Sequence, residues 1–365
     1  LPGDYGKRGT EFGCTAGIYP VYYVRISVQT EKNSGDGILE EFQVEFLDCW
    51  QRLPNKVLFF VLFAAWLALF QFLGNATLGY ARTHSLFVFL YKALTTGGKL
   101  LESEEVVGLV IPVVVLGLFW LKRNELLAIE IKSWWAGLVL VGAGLLLHTL
   151  GIVVQQPRVS ILALFTGIYG LMGLAWGPAW LRTSFFPFFL FAFCMPLGSF
   201  ADTLTFPLRL LVTRLVEFVC HYILMIDVIR DGTMLKDPTG RYQYEVAAAC
   251  SGIRSLITTT VFSFVLAFLS FRTWWKRLAI IAAALPLALF GNLLRMLGIV
   301  LAADLFGKAA GDWVHEGGPG GIVALIWYIP GFAGLLLLEH YLRKVPREAL
   351  PAKPVAPPVE VSAPS

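Results

Sequence analysis

The sequence predicts an all-α polytopic membrane protein, and three observations carry that prediction. Several apolar segments approach the ~20 residues that a helix needs to span ~30 Å of hydrocarbon, with few or no charges inside them. The chain of 365 residues is 57% hydrophobic and 15% charged, with a mean hydropathy of +0.69. A soluble domain carries about 25% charged residues. Lys and Arg cluster beside the apolar segments, where they act as topology signals. The net charge is a modest +4, and no basic patch suggests a nucleic-acid partner.

In chain order, eight spanning helices are expected near 57–75, 105–121, 134–154, 159–180, 186–200, 251–270, 279–301 and 320–340. Segment 186–200 is short enough to be tilted or re-entrant. Residues 84–98 are apolar but too short to span, so they are assigned to the interface. Residues 1–56 are polar and uneven, without the basic and apolar runs of a secretory signal, and are expected to be an N-terminal cytoplasmic segment. Residues 57–342 form the membrane domain. Residues 343–365, rich in Pro, Ala and Val, are expected to be a disordered cytoplasmic tail.

Short-loop cations set the orientation. Lys122, Arg123 and Lys132 follow the second helix, Arg182 lies between the fourth and fifth, Arg272, Lys276 and Arg277 follow the sixth, and Arg343, Lys344 and Arg347 follow the eighth. All four sets fall on the cytoplasmic side. The long stretch 201–250 is then extracytoplasmic. It holds an amphipathic run from Phe206 to Ile226 suited to an interface. Turn signals follow at Asp231-Gly and Asp237-Pro-Thr-Gly, and then Arg241-Tyr-Gln-Tyr-Glu245, a short hairpin or extended piece. The loop 302–319 falls on the same side.

Three residues on that face have the chemistry of an acyl-transfer site. Cys250 sits where a polar stretch enters the sixth helix. A helix N-terminus and a nearby cation lower a thiol's pKa from about 8.5 and favour the thiolate. Arg254 lies one helical turn on, on the same face. Ser251 and Gly252 are small enough to let a peptide approach. An isolated membrane cysteine is more often a packing residue, and these neighbours argue against that here. Arg295 lies in the outer half of the seventh helix, where a charge near mid-bilayer costs about 2.5–3.5 kcal/mol on insertion scales. It can stabilise a thiolate or oxyanion, or it can snorkel to headgroups. Asn292 shares its face. His315, in a Gly-rich stretch expected to be a loop before the eighth helix, is a proton shuttle by type. His148 and His340 are assigned ordinary packing roles, and Cys220-His221 is discounted because adjacent helical residues diverge.

Other chemistries find no support. The five cysteines, at 14, 49, 194, 220 and 250, make no CxxC pair and no zinc spacing with histidine. There is no GxSxG elbow, HExxH or P-loop. No metal or other cofactor is implied.

The runs Ala249-Cys-Ser-Gly-Ile-Arg254 and Asn292-Leu-Leu-Arg295, followed by His315, resemble the exosortase/archaeosortase family in residue type and order. The resemblance covers roughly 57–342. It differs at Ser103-Glu-Glu-Val-Val-Gly108, where the family often carries Ser-His-Gly. The resemblance implies a multi-pass membrane cysteine protease or transpeptidase of the cytoplasmic (inner) membrane. Its partners would be the lipid bilayer and secreted proteins bearing a C-terminal Pro-Glu-Pro-type motif, a transmembrane helix and a basic tail. The acceptor would be water, an amine or a lipid. Cys250 would form the acyl-thioester, Arg295 would donate a proton or stabilise the intermediate, and His315 would complete the site, with Arg254, Asn292 and Ser251 in support. The competing readings are a polytopic transporter and a non-catalytic component of exopolysaccharide export. A transporter predicts an internal repeat, and the sequence shows none.

Overall fold

The computed structural model describes residues 36–75, 83–95, 103, 105–132, 134–245, 253–318 and 322–345. Residues 1–51 and 52–365 form two separate compact units. In the first, α1 (Asp36–Arg52) stacks Phe42 on Phe46 and Phe46 on Trp50, at centroid separations of 6.2 and 6.4 Å. These rings recur at i, i+4 and make one apolar stripe.

All eight predicted segments are helical in the second unit, but they divide by length. Lys56–Leu73, Pro157–Trp176, Trp274–Phe306 and Val323–Lys344 are long and apolar enough to span a membrane. Val107–Leu121, Gly137–Val153, Pro178–Cys194 and Arg254–Ser270 are shorter apolar helices. The expected eight spans thus become four full-length candidates and four shorter ones. The interfacial stretch near residue 90 is a nine-residue helix, α3 (Leu86–Leu94), whose Ser85 side chain accepts the Val88 N–H.

The first half of the bundle comprises α2 (Lys56–Leu73), the short α5 (Arg123–Leu127), α6 (Gly137–Val153), α7 (Pro157–Trp176) and α8 (Pro178–Phe189). Helices α6 and α7 are antiparallel and meet along a seam of small residues. Gly137, Gly144 and Gly151 recur every seventh residue and face Gly170, Gly167 and Ser160. A Cβ at Gly137 would lie 2.7 Å from the Gly170 carbonyl oxygen. Without a hydrophobic drive between helices in lipid, such close backbone approach is a main source of packing energy. Trp66 of α2 fills the space over Gly167 and donates its indole N–H to the Leu164 carbonyl at 3.0 Å.

One expected boundary is wrong. The fourth helix stops at Trp176, because Gly177 takes φ +91° and Pro178 starts α8 at its first turn. Arg182 therefore lies inside α8, not in a connecting loop. The fifth segment is correspondingly displaced toward the N-terminus and ends in a 3-10 turn, Leu190–Cys194.

The second half comprises α4 (Val107–Leu121), α9 (Ser199–Val219), α10 (Ile253–Ser270), α11 (Trp274–Phe306), α12 (Lys308–Glu316), α13 (Ile322–Ile326) and α14 (Ile329–Lys344). The amphipathic stretch is helical from Ser199 and closes with a π-type turn, Cys220–Leu224. A small antiparallel sheet follows, β1 (Ile229–Asp231), β2 (Met234–Lys236) and β3 (Gln243–Glu245), in that order. Asp231 pairs with Met234 across a two-residue turn, and Leu235 pairs with Tyr244.

The bundle has two chemically different ends. At one, Lys276 donates to the Leu342 and Val345 carbonyls at 2.7 and 2.9 Å, which caps α14 with a cation. Arg277 binds the Phe271 carbonyl at 2.6 Å, and Arg343 pairs with Glu339 there. The first turn of α10, the C-terminal turns of α11, α12 and the sheet gather at the other end.

The α6–α7 seam yields a differential test. Gly167→Leu must collide with Trp66, whereas a side chain at Gly142 meets nothing within 4 Å. Thermal unfolding in detergent should fall markedly for Gly167→Leu and stay at the wild-type value for Gly142→Leu. Equal unfolding temperatures would contradict the packing described.

Candidate active site

Helix α11 has 33 residues, about 50 Å at 1.5 Å per residue, against ~30 Å of hydrocarbon. It exceeds the expected 279–301 span at both ends. Apolar residues fill it apart from Asn292 and Arg295 in its interior, and it stops at Gly307, with φ +87°. Arg295 donates from Nη2 to the backbone carbonyl of His315 at 3.1 Å. Its Nε is buried and has no hydrogen-bond partner among the described residues. Asn292, three residues earlier, is 3% exposed, and its Nδ2 likewise has no partner among them.

His315 is in the last turn of α12 and not in a loop as expected. The Gly307 turn releases the chain from α11, Ala309 and Ala310 favour a new helix, and Gly317 ends it in the left-handed conformation at φ +85°. Helix α12 folds back on α11 where Gly311 lies against Ala303 and the Tyr244 hydroxyl. That hydroxyl is 3.3 Å from the Lys308 carbonyl oxygen and 3.2 Å from Asp312 Oδ1. The Tyr244 ring stacks on the His315 imidazole, with centroids 5.8 Å apart and planes at 26°. Burial, and then the Arg295 charge, push the His315 pKa below its ordinary value, while Asp312 and Glu316 oppose that shift. The ring is accordingly neutral at pH 7 and able to accept a proton.

The sheet holds α12 in place. Leu235, Tyr242 and Tyr244 pack with Val212 and Val216 of α9 and with Met296, Ile299, Val300 and Ala303 of α11. Arg241 bridges Asp237 and Asp304 at 3.0 and 2.9 Å, which ties the turn after β2 to the end of α11. Hydrogen bonds from Arg241 and Thr239 hold the Asp237 carboxyl well below the usual range. Cys220 lies in this core, where burial, with Asp304 adding to it, pushes its thiol up to about 11. It stays protonated, and its neighbour His221 points to Asp227 at 3.6 Å on the surface. Neither forms a nucleophilic pair.

Arg254, in the first turn of α10, donates to the Ser103 carbonyl at 2.5 Å. Ser103 belongs to the stretch that differs from the family pattern. In the same stretch, Glu105 accepts the backbone N–H groups of Leu197 and Gly198 at 2.9 and 2.7 Å. Arg158 binds the Pro196 and Leu197 carbonyls, each at 2.8 Å. The segments before α4, α9 and α10 are thus fastened together. A cavity of about 300 Å³ opens beside them, lined by Leu94, Glu105, Phe193, Leu256 and Ile257 among others. Tyr328, between α13 and α14, feels the charges of both Arg254 and Arg295.

Arg254, Asn292, Arg295 and His315 therefore gather at one end of the bundle. Cys250 and Ser251 lie outside the described residues. His148 is buried, with Nδ1 3.1 Å from Ser160 Oγ and its ring against Phe70, as its packing assignment expects. Sequence reasoning missed Tyr244 and Ser103. The alternating tyrosines of Tyr242-Gln-Tyr244 signal a buried strand face, but nothing local points to Ser103. Among the described residues, no group of three or more His, Cys, Asp or Glu side chains is placed to hold a metal ion.

The transmembrane exosortase family model matches residues 100–333. No curated protein and no solved structure matches the chain.

The His315 environment gives a titration with a fixed sign. The ring should take up its proton below the ordinary ~6.5. Asp312→Asn removes an opposing charge and should move the midpoint further down. Ring shifts in labelled protein, assigned against His315→Gln, provide the measurement. A midpoint above 6.5, or an upward move in Asp312→Asn, would contradict the environment described.

Proposed function

The chain belongs to the transmembrane exosortase family, and on that premise we propose that it is a membrane-embedded cysteine transpeptidase acting through Cys250. The observation that carries this reading is the meeting of Arg295 with the backbone of His315, from positions 20 residues apart, at the bundle end where α10 begins. The polar run that precedes α10 carries Cys250.

The chemistry proceeds in two balanced stages. The Cys250 thiol gives its proton to the neutral His315 ring, and the thiolate attacks a peptide carbonyl carbon. A C–S bond forms, and the carbonyl π pair moves onto oxygen. Arg295 stabilises that oxyanion, with Arg254 adding positive potential. Collapse re-forms the C=O bond and breaks the C–N bond, and the departing amine takes the proton from His315. An acceptor, water or an amine, then loses its proton to His315 and attacks the thioester; the C–S bond breaks, and the departing Cys250 thiolate takes that proton back from His315, which restores the thiol and the neutral ring.

The substrate class is a secreted protein with a C-terminal sorting signal and a membrane helix. An apolar cavity lined by Leu256 and Ile257 of α10 suits such a segment. Anchoring in the bilayer raises its effective concentration at the site. The orientation follows from charge. Lys276, Arg277, Arg343 and Lys344 lie at the bundle end opposite Arg254 and Arg295, and cations mark the cytoplasmic side. The site then faces away from the cytoplasm of an inner-membrane protein.

Cys250→Ala should reduce processing of a co-expressed signal-bearing substrate to background, while Cys194→Ala and Cys220→Ala process it at wild-type levels. Immunoblotting of precursor and product is the readout. Normal processing by the Cys250→Ala protein would sink the nucleophile assignment.

A further inference from the structure

Helix α14 does not simply follow α13. The chain breaks at Trp327 and Tyr328, and α14 restarts at Ile329 with Pro330 in its first turn. The interruption is slight: Tyr328 keeps right-handed helical angles, and its N–H bonds the Leu325 carbonyl at 3.1 Å. This break packs on α11. A Cβ on Gly291 would lie 2.8 Å from the Trp327 carbonyl oxygen, and a Cβ on Gly298 would lie 2.5 Å from the far edge of the Trp327 indole. Gly291, Arg295 and Gly298 are related as i, i+4 and i+7 and form one stripe. The indole therefore runs along the stripe whose middle residue is Arg295. A side chain at Gly298 would displace the ring, and one at Gly291 would displace the backbone that carries it.

Three N–H donors in this region are buried without a hydrogen-bond partner among the described residues: Trp327 Nε1, Asn292 Nδ2 and Arg295 Nε. A buried unsatisfied donor is costly, and such groups are few in native structures. Three from neighbouring residues, all donors and one cationic, mark a place built for an oxygen that carries negative charge. Tyr328, the residue after Trp327, lies near the charges of both Arg254 and Arg295.

We infer that Trp327, Asn292 and Arg295 form the oxyanion pocket of the acyl-transfer site, with the Trp327 indole N–H as a donor to the carbonyl oxygen of the scissile bond. This rests on the acyl-transfer reading above. The ligand is the amide or thioester carbonyl of the substrate, whose oxygen gains negative charge as the thiolate adds to its carbon. A donor held by packing on Gly298 needs little reorganisation when that charge develops. Trp327 is thus a catalytic residue, and Gly291 and Gly298 are positioning residues.

The test separates the N–H from the ring. Replacing Trp327 by benzothienylalanine keeps the shape and exchanges N–H for sulfur. Processing of a signal-bearing substrate should lose roughly 100-fold or more in kcat, the effect of one oxyanion donor, with KM little changed and the unfolding temperature retained. Trp327→Phe, compared at matched unfolding temperature, gives the same reading if the first protein is not obtained. Asn292→Ala should lower kcat in the same way. Wild-type kcat in the benzothienyl protein, alongside an inactive Cys250→Ala protein, would overturn the donor assignment and leave the acyl-transfer reading standing. Processing by Cys250→Ala would overturn both.

Discussion

A guanidinium inside an apolar helix must find acceptors, and the surroundings of α11 are organised by that requirement. Arg295 lies in the C-terminal half of a helix far longer than the hydrocarbon is thick. Its nearest acceptor is a backbone carbonyl at the end of α12, supplied because the chain reverses at Gly307 and lies back on α11. The reversal in turn depends on the close contact at Gly311 and on the Tyr244 hydroxyl beside it. Removing the charge from α11 would leave the C-terminal turn of α12, which carries His315, without this tie, while the Tyr244 hydroxyl would still hold Lys308 and Asp312.

The small sheet before α10 has a mechanical role in this arrangement. It packs its buried face, Leu235 and Tyr244, against α9 and α11, and it is fastened to the end of α11 through Arg241 and Asp304. The strands are only three residues each and would not be stable alone. They hold because one face is buried. Tyr244 then carries the position of the sheet to the His315 ring by stacking. The same burial that orders the ring lowers its proton affinity, so its position and its neutral state have a common cause.

A second set of ties, Arg254 to Ser103, Glu105 to the Leu197–Gly198 backbone and Arg158 to Pro196 and Leu197, joins the starts of α4, α9 and α10. All three are charged side chains on backbone groups, which bond more strongly than neutral pairs. They lock the entry of α10, the helix that follows Cys250. A transporter would need such an entry to move between two states. Here the ties favour a fixed site, in keeping with chemistry that needs reacting groups held in register.

The sequence by itself determined the membrane class and the approximate helices, and it supplied the residue types of the proposed site. Apolar length and charge placement are local properties, and a cation in an apolar helix is visible without any partner. Local signals also showed the amphipathic stretch before the sheet and the turns at Asp231-Gly and Asp237-Pro-Thr-Gly. The break at Gly177, which moved Arg182 into α8, depended on a positive φ and a following proline acting together. The helical setting of His315 depended on α11 being present to receive α12. Only the tertiary structure decided that the Ser103 carbonyl meets Arg254 and that Trp327 packs on Gly291 and Gly298, because those contacts join residues 151, 36 and 29 positions apart. Hydropathy and spacing carry no information about which backbone carbonyl or indole N–H packing will bring to a buried charge.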